Sequence, residues 1–252
     1  MSINPAYHEL QNKPLCFQYP ATVENLRLNN TGFSWEVKLP YQISMIASIS
    51  GAHLQSNSYY RLDQFHCHWG RNDQAGSEHT VDNRPYSAEL HFVHYNMDKY
   101  HTLSKAARRP DGLVVVAVFL DAQEDHHNHA ELEKICLHLK SVQLKGEHSI
   151  IRQAVRIENL LPLNRSYWSY QGSLTTPPFL ESVTWFIMKH PIKCSANQLK
   201  RFRSLKSTLR HEPDTRDEEA DDPEAESNSV FIKSNFRTTQ PLNGRTIVSY
   251  DE

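Results

Sequence analysis

The chain of 252 residues carries a formal net charge of −2 and 15 histidines, and its length allows one large or two small domains with a substantial core. So balanced a charge gives no reason to expect nucleic acid as a partner. No apolar run reaches the roughly 18 to 20 residues that cross a bilayer, and residues 1–14 lack the apolar core of a signal peptide. We therefore expect a cytoplasmic protein without a membrane span, or a secreted one if the natural chain starts earlier.

The cysteines support the same compartment. The chain has four of them and no C-x-x-C spacing, so they propose neither a zinc knuckle nor a redox pair. We expect reduced thiols at Cys16, Cys67, Cys136 and Cys194.

The first third of the chain predicts loops followed by strands. Residues 1–25 are polar and contain three prolines, which predicts a loop-rich lead-in. From Leu26 to Val37, alternating flanks surround the turn residues Asn29–Gly32, which predicts two strands. Alternation also marks Gln64–Gly70 and Glu89–His94 as strands.

These last two strands carry three histidines of interest. Successive side chains of a strand point to opposite faces, so His66 and His68 project from one face. If the two strands pair, His91 can join them. Three histidines without a fourth protein ligand are typical of a catalytic zinc site, whose open position is left to water. A chain so rich in histidine also produces an H-x-H spacing by chance, and the motif alone leaves that alternative open.

The middle of the chain predicts one buried strand and one helix. The continuous apolar run Leu113–Leu120 is rich in β-branched residues, which is typical of a strand buried on both faces. After the histidine cluster of residues 125–129, a helix is expected to bury Leu132, Ile135, Cys136 and Leu139. The cluster could bind a metal, but a solvated turn is the interpretation we favour.

The last third predicts further strands and a second helix. Ile157–Leu163 and Ser182–Met188 have the pattern of strands. Ser195 is a candidate N-cap for a helix with four inward residues, Leu199, Phe202, Leu205 and Leu209.

An acidic stretch follows this helix. Glu212–Ser227 contains two prolines and many carboxylates, which predicts an excursion without a fixed fold. The many short strands with two supporting helices indicate one mainly β (α+β) domain over residues 1–252.

Three segments of the chain closely resemble the α-class carbonic anhydrases. They are Gln64–Asn96, Ser173–Pro178 with the sequence SLTTPP, and Asn235–Arg245 with the sequence NFRTTQPLNGR. The resemblance extends from about Leu26 onward, and we expect that the family's N-terminal stretch is missing. It implies a large twisted, mostly antiparallel sheet with a few peripheral helices and with Zn²⁺ at the base of a conical cleft. It also implies reversible hydration of carbon dioxide to bicarbonate and a proton.

The resemblance assigns the zinc ligands and the residues that aim the nucleophile. His66, His68 and His91 match the metal ligands of the family. Thr175 would accept a hydrogen bond from the attacking hydroxide and donate its own proton to Glu78. A carboxylate acceptor commits the single donor of the hydroxyl, which leaves the threonine oxygen free to accept.

The resemblance further assigns a substrate pocket and supporting residues. Apolar residues expected around carbon dioxide are Val93, Val115, Leu174, Val183 and Trp185, with Thr176 expected to contact bicarbonate or water. Ligating imidazoles usually donate their second N–H to an outer partner. The expected partners are Gln64 for His66, the backbone carbonyl of Asn243 for His68, and Glu89 for His91.

One position departs from the family pattern. The segment around Asn29–Ser34 resembles the family's N-N-G-H-S, whose histidine moves protons between the zinc water and solvent, and the matching residue is Phe33. A phenyl ring cannot carry a proton, so we expect slow proton release that added imidazole accelerates. His53 could be aligned as the shuttle, but its surroundings match better the glycine-rich turn before the metal strand.

Two other functions were weighed against hydration. Carbonic-anhydrase-related binding proteins keep the fold but lack metal histidines, whereas all three are present here. Zinc hydrolases of the thermolysin type use a helical H-E-x-x-H, which the chain lacks. The expected partners are carbon dioxide and bicarbonate, with sulfonamides or small anions as inhibitors, and the expected state is a monomer.

Overall fold

The computed structural model describes residues 1–4, 9–10, 13–56, 58–124, 127–209 and 231–252. The predicted acidic excursion, Glu212–Ser227, lies outside the described residues. Within them the strands are β1 (Ser2–Ile3), β2 (Glu9–Leu10), β3 (Leu15–Gln18), β4 (Leu26–Asn30), β5 (Trp35–Lys38), β6 (Ser48–Gly51), β7 (Tyr60–Trp69), β8 (Thr80–Val81), β9 (Ala88–Asn96), β10 (Leu113–Gln123), β11 (His148–Ile151), β12 (Tyr167–Gly172), β13 (Val183–Met188), β14 (Ile192–Ser195) and β15 (Val248–Tyr250).

The helices are short. They are α1 (Tyr41–Ser44), α2 (Leu103–Ala106), α3 (Ala130–Cys136) and α4 (Ala196–Phe202), with 3₁₀ turns at Leu139–Val142 and Ile157–Leu160. Ser195 begins α4 with the predicted cap, since its side chain accepts from Gln198 N and the Gln198 side chain bonds the Ser195 N–H in return.

One large sheet forms the body of the molecule. Thirteen of the described strands belong to it, with a central path β11-β4-β5-β7-β9-β10-β13-β12-β15-β2. The β5–β7, β7–β9 and β9–β10 pairs are antiparallel, whereas β10 pairs with β13 in parallel. The mainly β fold with one large sheet and few helices is confirmed, and it sets the two predicted histidine strands side by side.

The two faces of this sheet bury different cores. Trp35, Phe65, Phe92 and Phe202 belong to the larger core on one face. On the other face a smaller core contains the apolar residues assigned to the substrate pocket. Because strand side chains alternate, Phe65 and Cys67 point away from the face that carries His66 and His68, as predicted.

Two predictions about local structure were wrong. Ile157–Leu163 is not a strand; its first four residues form a 3₁₀ turn in which Ile157 and Leu160, three apart, are both buried, as the period of three residues per turn allows. Leu209 does not lie inward from α4, because that helix ends at Phe202 and Leu209 is exposed. The predicted loop-rich lead-in of residues 1–25 carries the short strands β1, β2 and β3, of which β3 pairs with β6.

Among the described residues, no helix is both long and apolar enough to cross a membrane. All four cysteines are free thiols, with Cys16 exposed and the other three buried.

Candidate active site

Strand register brings the three predicted histidines together. His66 lies directly opposite His91 in the β7–β9 pair, and residues opposite each other share a face. The ring of His68 is 5.1 Å from that of His66 and 4.5 Å from that of His91, measured between centroids. The three side chains could hold one metal ion between them.

Outer hydrogen bonds fix which ring nitrogen of each histidine faces the cluster. His66 Nδ1 donates to Gln64 Oε1 over 2.9 Å, and His68 Nδ1 donates to the backbone oxygen of Asn235 over 3.0 Å. His91 uses its other nitrogen, Nε2, to donate to Glu89 Oε1 over 2.8 Å. Each inward nitrogen therefore keeps a free lone pair, as metal ligation requires.

The partner of His68 corrects one prediction. The expected carbonyl was that of Asn243, but His68 bonds Asn235. Asn243 lies in an exposed turn with a φ of 52°. Asn235 reaches the site because its backbone N–H donates to Trp69 O and its side chain bonds Trp69 N and Cys67 O. Both asparagines stand in the same C-terminal segment, and a backbone carbonyl gives no side-chain signal to tell them apart.

Glu89 is the most heavily bonded group around the cluster. Its Oε2 accepts the backbone N–H groups of Glu78 and His79, and its Oε1 accepts His79 Nδ1 at 2.6 Å as well as His91. His79 Nε2 in turn accepts from the Tyr170 hydroxyl at 2.7 Å. The sequence did not single out His79 or Tyr170. His79, Glu89 and His91 also have ligand atoms close together, but these atoms are engaged with one another.

Burial sets the protonation of the cluster. It lowers the pKa of His66 well below the ordinary value, helped by His68 and His91, and it lowers that of His91 in the same way. Burial alone would raise the pKa of Glu89, but His79 and His91 hold it well below its usual range. Neutral imidazoles beside an ionised outer carboxylate are the form that binds a divalent metal.

Thr175 and Glu78 lie near each other without forming the predicted bond. Both line a small cavity of about 40 Å³. Glu78 Oε1 accepts the Arg237 backbone N–H over 2.7 Å, while Glu78 Oε2 is buried and has no hydrogen-bond partner among the described residues. The free oxygen is the acceptor that the predicted bond would need.

The apolar residues assigned to the pocket form a continuous surface, the apolar wall: Val93, Val115, Leu174, Val183 and Trp185. Val93 lies opposite Val115, which lies opposite Trp185. The Trp185 ring is 4.8 Å from the His91 ring, and Leu174 packs against this core. Thr176 is half-buried in the loop after β12. The apolar wall thus reaches the histidine cluster.

Phe33 stands at the mouth of the same site. Its ring is 44% exposed and lies 6.1 Å from the His68 ring. His53 lies elsewhere, since it bonds Ser169 and stacks on Phe186 of the larger core. The alignment that made His53 a proton carrier for the cleft is therefore not supported.

Comparison with known proteins decides the family. The profile of eukaryotic-type carbonic anhydrases matches residues 2–251. Carbonic anhydrase 7 of Homo sapiens is 39% identical over 235 residues, 93% of this chain and 80% of the relative. Carbonic anhydrase 1 of Oryctolagus cuniculus is 39% identical over 241 residues, 95% of this chain and 92% of the relative. The chain belongs to the eukaryotic-type carbonic anhydrase family.

Carbonic anhydrases are zinc-dependent, and the cluster suits that metal. Two of its nitrogens, Nε2 of His66 and Nε2 of His68, are only 3.2 Å apart. Because both rings donate through Nδ1, these nitrogens present lone pairs to each other, and a cation between them would relieve the repulsion. Three imidazole donors also match the preference of catalytic zinc.

The wall opposite the substrate side was missed at the sequence level. Glu36 lies opposite His66, and Lys38 lies opposite Gln64, in the β5–β7 pair, so both face the metal side of the sheet. Asp63 lies at the irregularity just before Gln64 in β7, and its charge acts on the Glu36 carboxylate while that of Lys38 acts on Asp63. We call Glu36, Lys38 and Asp63 the charged wall. An isolated charge on a short strand normally indicates only a solvated position, so this cluster could not be predicted from the sequence.

Proposed function

We propose that the chain is a zinc-dependent carbonate dehydratase that hydrates carbon dioxide reversibly to bicarbonate and a proton. The observation that carries the proposal is the histidine cluster, in which every outward ring nitrogen is bonded and every inward one is free. Membership of the carbonic anhydrase family supports the same activity. His66, His68 and His91 are the proposed ligands.

The residues around the cluster suit this reaction. His66, His68 and His91 would hold the Zn²⁺, which when bound would supply the Lewis acidity that makes hydroxide available near neutral pH, an effect for which the carbonic anhydrases are themselves the standard example. Carbon dioxide is small and apolar, so the apolar wall is a suitable surface to hold it beside the nucleophile. Thr176 is proposed to contact the bicarbonate product.

Thr175 and Glu78 are proposed to orient the nucleophile. Glu78 Oε1 is committed to the Arg237 N–H, and Oε2 remains able to accept. If the Thr175 hydroxyl donates to Oε2, its oxygen can only accept, which directs the proton of the nucleophile toward threonine and a lone pair toward the substrate.

Proton release is proposed to limit the rate. Each hydration produces a proton, and Phe33 at the mouth of the cleft cannot accept it. The proton must then leave through buffer or through slower routes. The further proposals from the resemblance are inhibition by sulfonamides or small anions, a monomeric state and a cytoplasmic location.

Stopped-flow hydration of carbon dioxide on the purified protein tests the function, with bound zinc measured in parallel. We expect one zinc per chain and a hydration rate that rises when imidazole is added. His91→Ala removes one proposed ligand and should abolish both stoichiometric zinc and hydration. Stoichiometric zinc in the parent protein without hydration at any imidazole concentration would exclude the proposed activity.

Substitution at the mouth of the cleft tests the proposed rate limit. Phe33→His should raise the rate at low buffer concentration by up to about 100-fold, the lower end of what a positioned acid–base side chain contributes, and should weaken the response to imidazole. Phe33→Leu is the matched control, since it changes the ring but adds no proton acceptor. Equal rates in the two variants would show that Phe33 is not the limiting feature.

The alternative, a binding protein that has kept only the fold, has one observation in its favour. No hydrogen bond joins Thr175 to Glu78 among the described residues. The hydration assay separates the two functions directly, because a binding protein would hold zinc or lack it but would not accelerate hydration under any buffer condition.

A further inference from the structure

Asp63 occupies an unusual place in the sheet. Leu62 lies opposite His94 and Gln64 lies opposite Val93, so Asp63 is an extra residue without a partner of its own on β9. Such a bulge redirects a side chain, and bulges often occur next to active sites. Here it lies one residue from Gln64, which bonds the proposed ligand His66.

The charged groups that act on Asp63 show which way it faces. Lys38 and Arg61 are the charges that influence its carboxylate, and Asp63 in turn influences Glu36 and Tyr95. Glu36 and Lys38 face the metal side by register. Tyr95 belongs to the smaller core beside Val93 and Val115. The Asp63 carboxylate therefore lies on the metal side of the sheet.

The Asp63 carboxylate is half-buried, and its oxygens are free to accept a proton. No hydrogen bond to its oxygens is found among the described residues, whereas the neighbouring Glu36 accepts from Asn29 and lies 3.6 Å from Lys38 Nζ. Burial raises the pKa of Asp63 above its ordinary value, although Lys38 and Arg61 oppose this. The shift moves the group toward the pH at which a proton acceptor works best.

We propose that Asp63 accepts the proton which each hydration releases and passes it to buffer, in the role that Phe33 cannot fill. The inference rests on the proposed carbonate dehydratase activity. In the step, an O–H bond of a water molecule in the cleft breaks and a new O–H bond forms on the Asp63 carboxylate, which leaves a hydroxide to replace the one that carbon dioxide has consumed. The O–H bond on Asp63 then breaks toward a buffer base in solvent. The carboxylate returns to its ionised form, so nothing is consumed except the buffer base.

The main test compares Asp63→Asn with the parent protein, both loaded with zinc, by stopped-flow hydration at low and at high imidazole. We expect kcat at low buffer to fall by about threefold or more, in keeping with the contribution of a positioned base. The value of kcat/KM should not change, because proton release follows the chemical step. High imidazole should restore kcat. Asp121→Asn is the matched control. It makes the same substitution at another half-buried aspartate, which lies outside the charged wall, four residues along β10 from Ala117, the residue opposite His91.

A change in the opposite direction strengthens the test. Lys38→Gln removes a positive charge that lowers the pKa of Asp63, and we expect kcat at low buffer to rise, because a higher pKa brings the acceptor closer to the operating pH. The same gain should be absent in the double variant Lys38→Gln, Asp63→Asn. A gain that persists in the double variant would overturn the role of Asp63.

A measurement without activity completes the design. Carbon-detected NMR titration of the carboxyl groups, assigned by difference from Asp63→Asn, should show Asp63 titrating above the ordinary value of 3.8. An ordinary or lower pKa, or a loss of kcat in Glu36→Gln but not in Asp63→Asn, would overturn the proposal. If the parent protein shows no hydration even at high imidazole, the dehydratase function itself has failed.

Discussion

The two walls of the cleft are built by different means. The apolar wall follows from register, since Val93, Val115 and Trp185 stand in one row across three adjacent strands. The charged wall includes Asp63, which lies outside the regular register of β7. In a regular register, side chains that share a face pack against one another, so the apolar wall contributes mainly to stability. A bulge redirects a side chain, so the charged wall can place a carboxylate beside a buried site.

The largest expected difference between the walls is in stability. Trp185 is 2% exposed and packs against His79, His91 and Tyr170. Trp185→Ala should lower the free energy of unfolding by about 3–5 kcal/mol, the usual cost of emptying a large aromatic site. Urea denaturation followed by circular dichroism measures this. Lys38→Ala on the charged wall is the comparison and should cost no more than about 0.5 kcal/mol; similar losses would mean that the two walls do not differ in packing.

An effect of intermediate size is expected on zinc affinity when the hydrogen-bond partners of the ligands are changed. Glu89 is the partner beside the apolar wall, and Gln64 is the partner beside the charged wall. Glu89 accepts four hydrogen bonds, whereas Gln64 makes one to His66. All four partners of Glu89 donate to it, so the amide group of Glu89→Gln would face donors instead of accepting from them, and zinc affinity should fall by about 100-fold. Gln64→Ala should lower zinc affinity by about tenfold, the other end of the usual range. Competition with a chromophoric chelator measures both. The reverse order would show that the bond count does not govern zinc binding.

The smallest effect concerns pH and has opposite signs at the histidine cluster and at the charged wall. His66 and His91 have a lowered pKa, so below the ordinary value of 6.5 the unfolded chain binds protons that the folded chain does not. The metal-free protein should therefore lose stability as the pH falls below about 6.5. Asp63 has a raised pKa, so its contribution is lost as the pH rises above 3.8.

Asp63→Asn separates the contribution of Asp63 to the pH dependence of stability from that of the histidines. The variant should raise the urea midpoint slightly at pH 7.5, where the parent carboxylate is ionised, and leave it nearly unchanged at pH 4. The loss of stability on acidification, which belongs to the histidines, should remain in the variant. A midpoint lowered at pH 7.5 would contradict the raised pKa of Asp63.

The sequence was sufficient for the two strands that carry the histidines and for the residues that share their faces. Alternation around His66, His68 and His91 predicted the shared face, and the structure places the three rings together. The resemblance to the carbonic anhydrases supplied the partners Gln64 and Glu89, and strand geometry agrees with it, because each is two residues from its histidine on the same strand and therefore on the same face. Such contacts are local, and strand geometry fixes them.

Contacts across the chain could not be predicted in the same way. The choice of Asn235 rather than Asn243 depends on where a distant segment crosses β7, and the contacting atom is a backbone oxygen common to every residue. The 3₁₀ turn at Ile157–Leu160 arises because tertiary burial overrides a strand-like composition. The bulge at Asp63 could not be predicted either, because the alternation of apolar and polar residues beside it does not reveal the extra residue.

Asn235 joins a late segment of the chain to the histidine strands. It lies 167 residues after His68, yet its backbone oxygen accepts the His68 N–H and its side chain bonds Phe33 O, Cys67 O and Trp69 N. During synthesis, the strands bearing all three histidines leave the ribosome long before this residue does. The nascent protein therefore has its ligands early but gains the orientation of His68 only after Asn235 has been synthesised, so tight zinc uptake should follow that step.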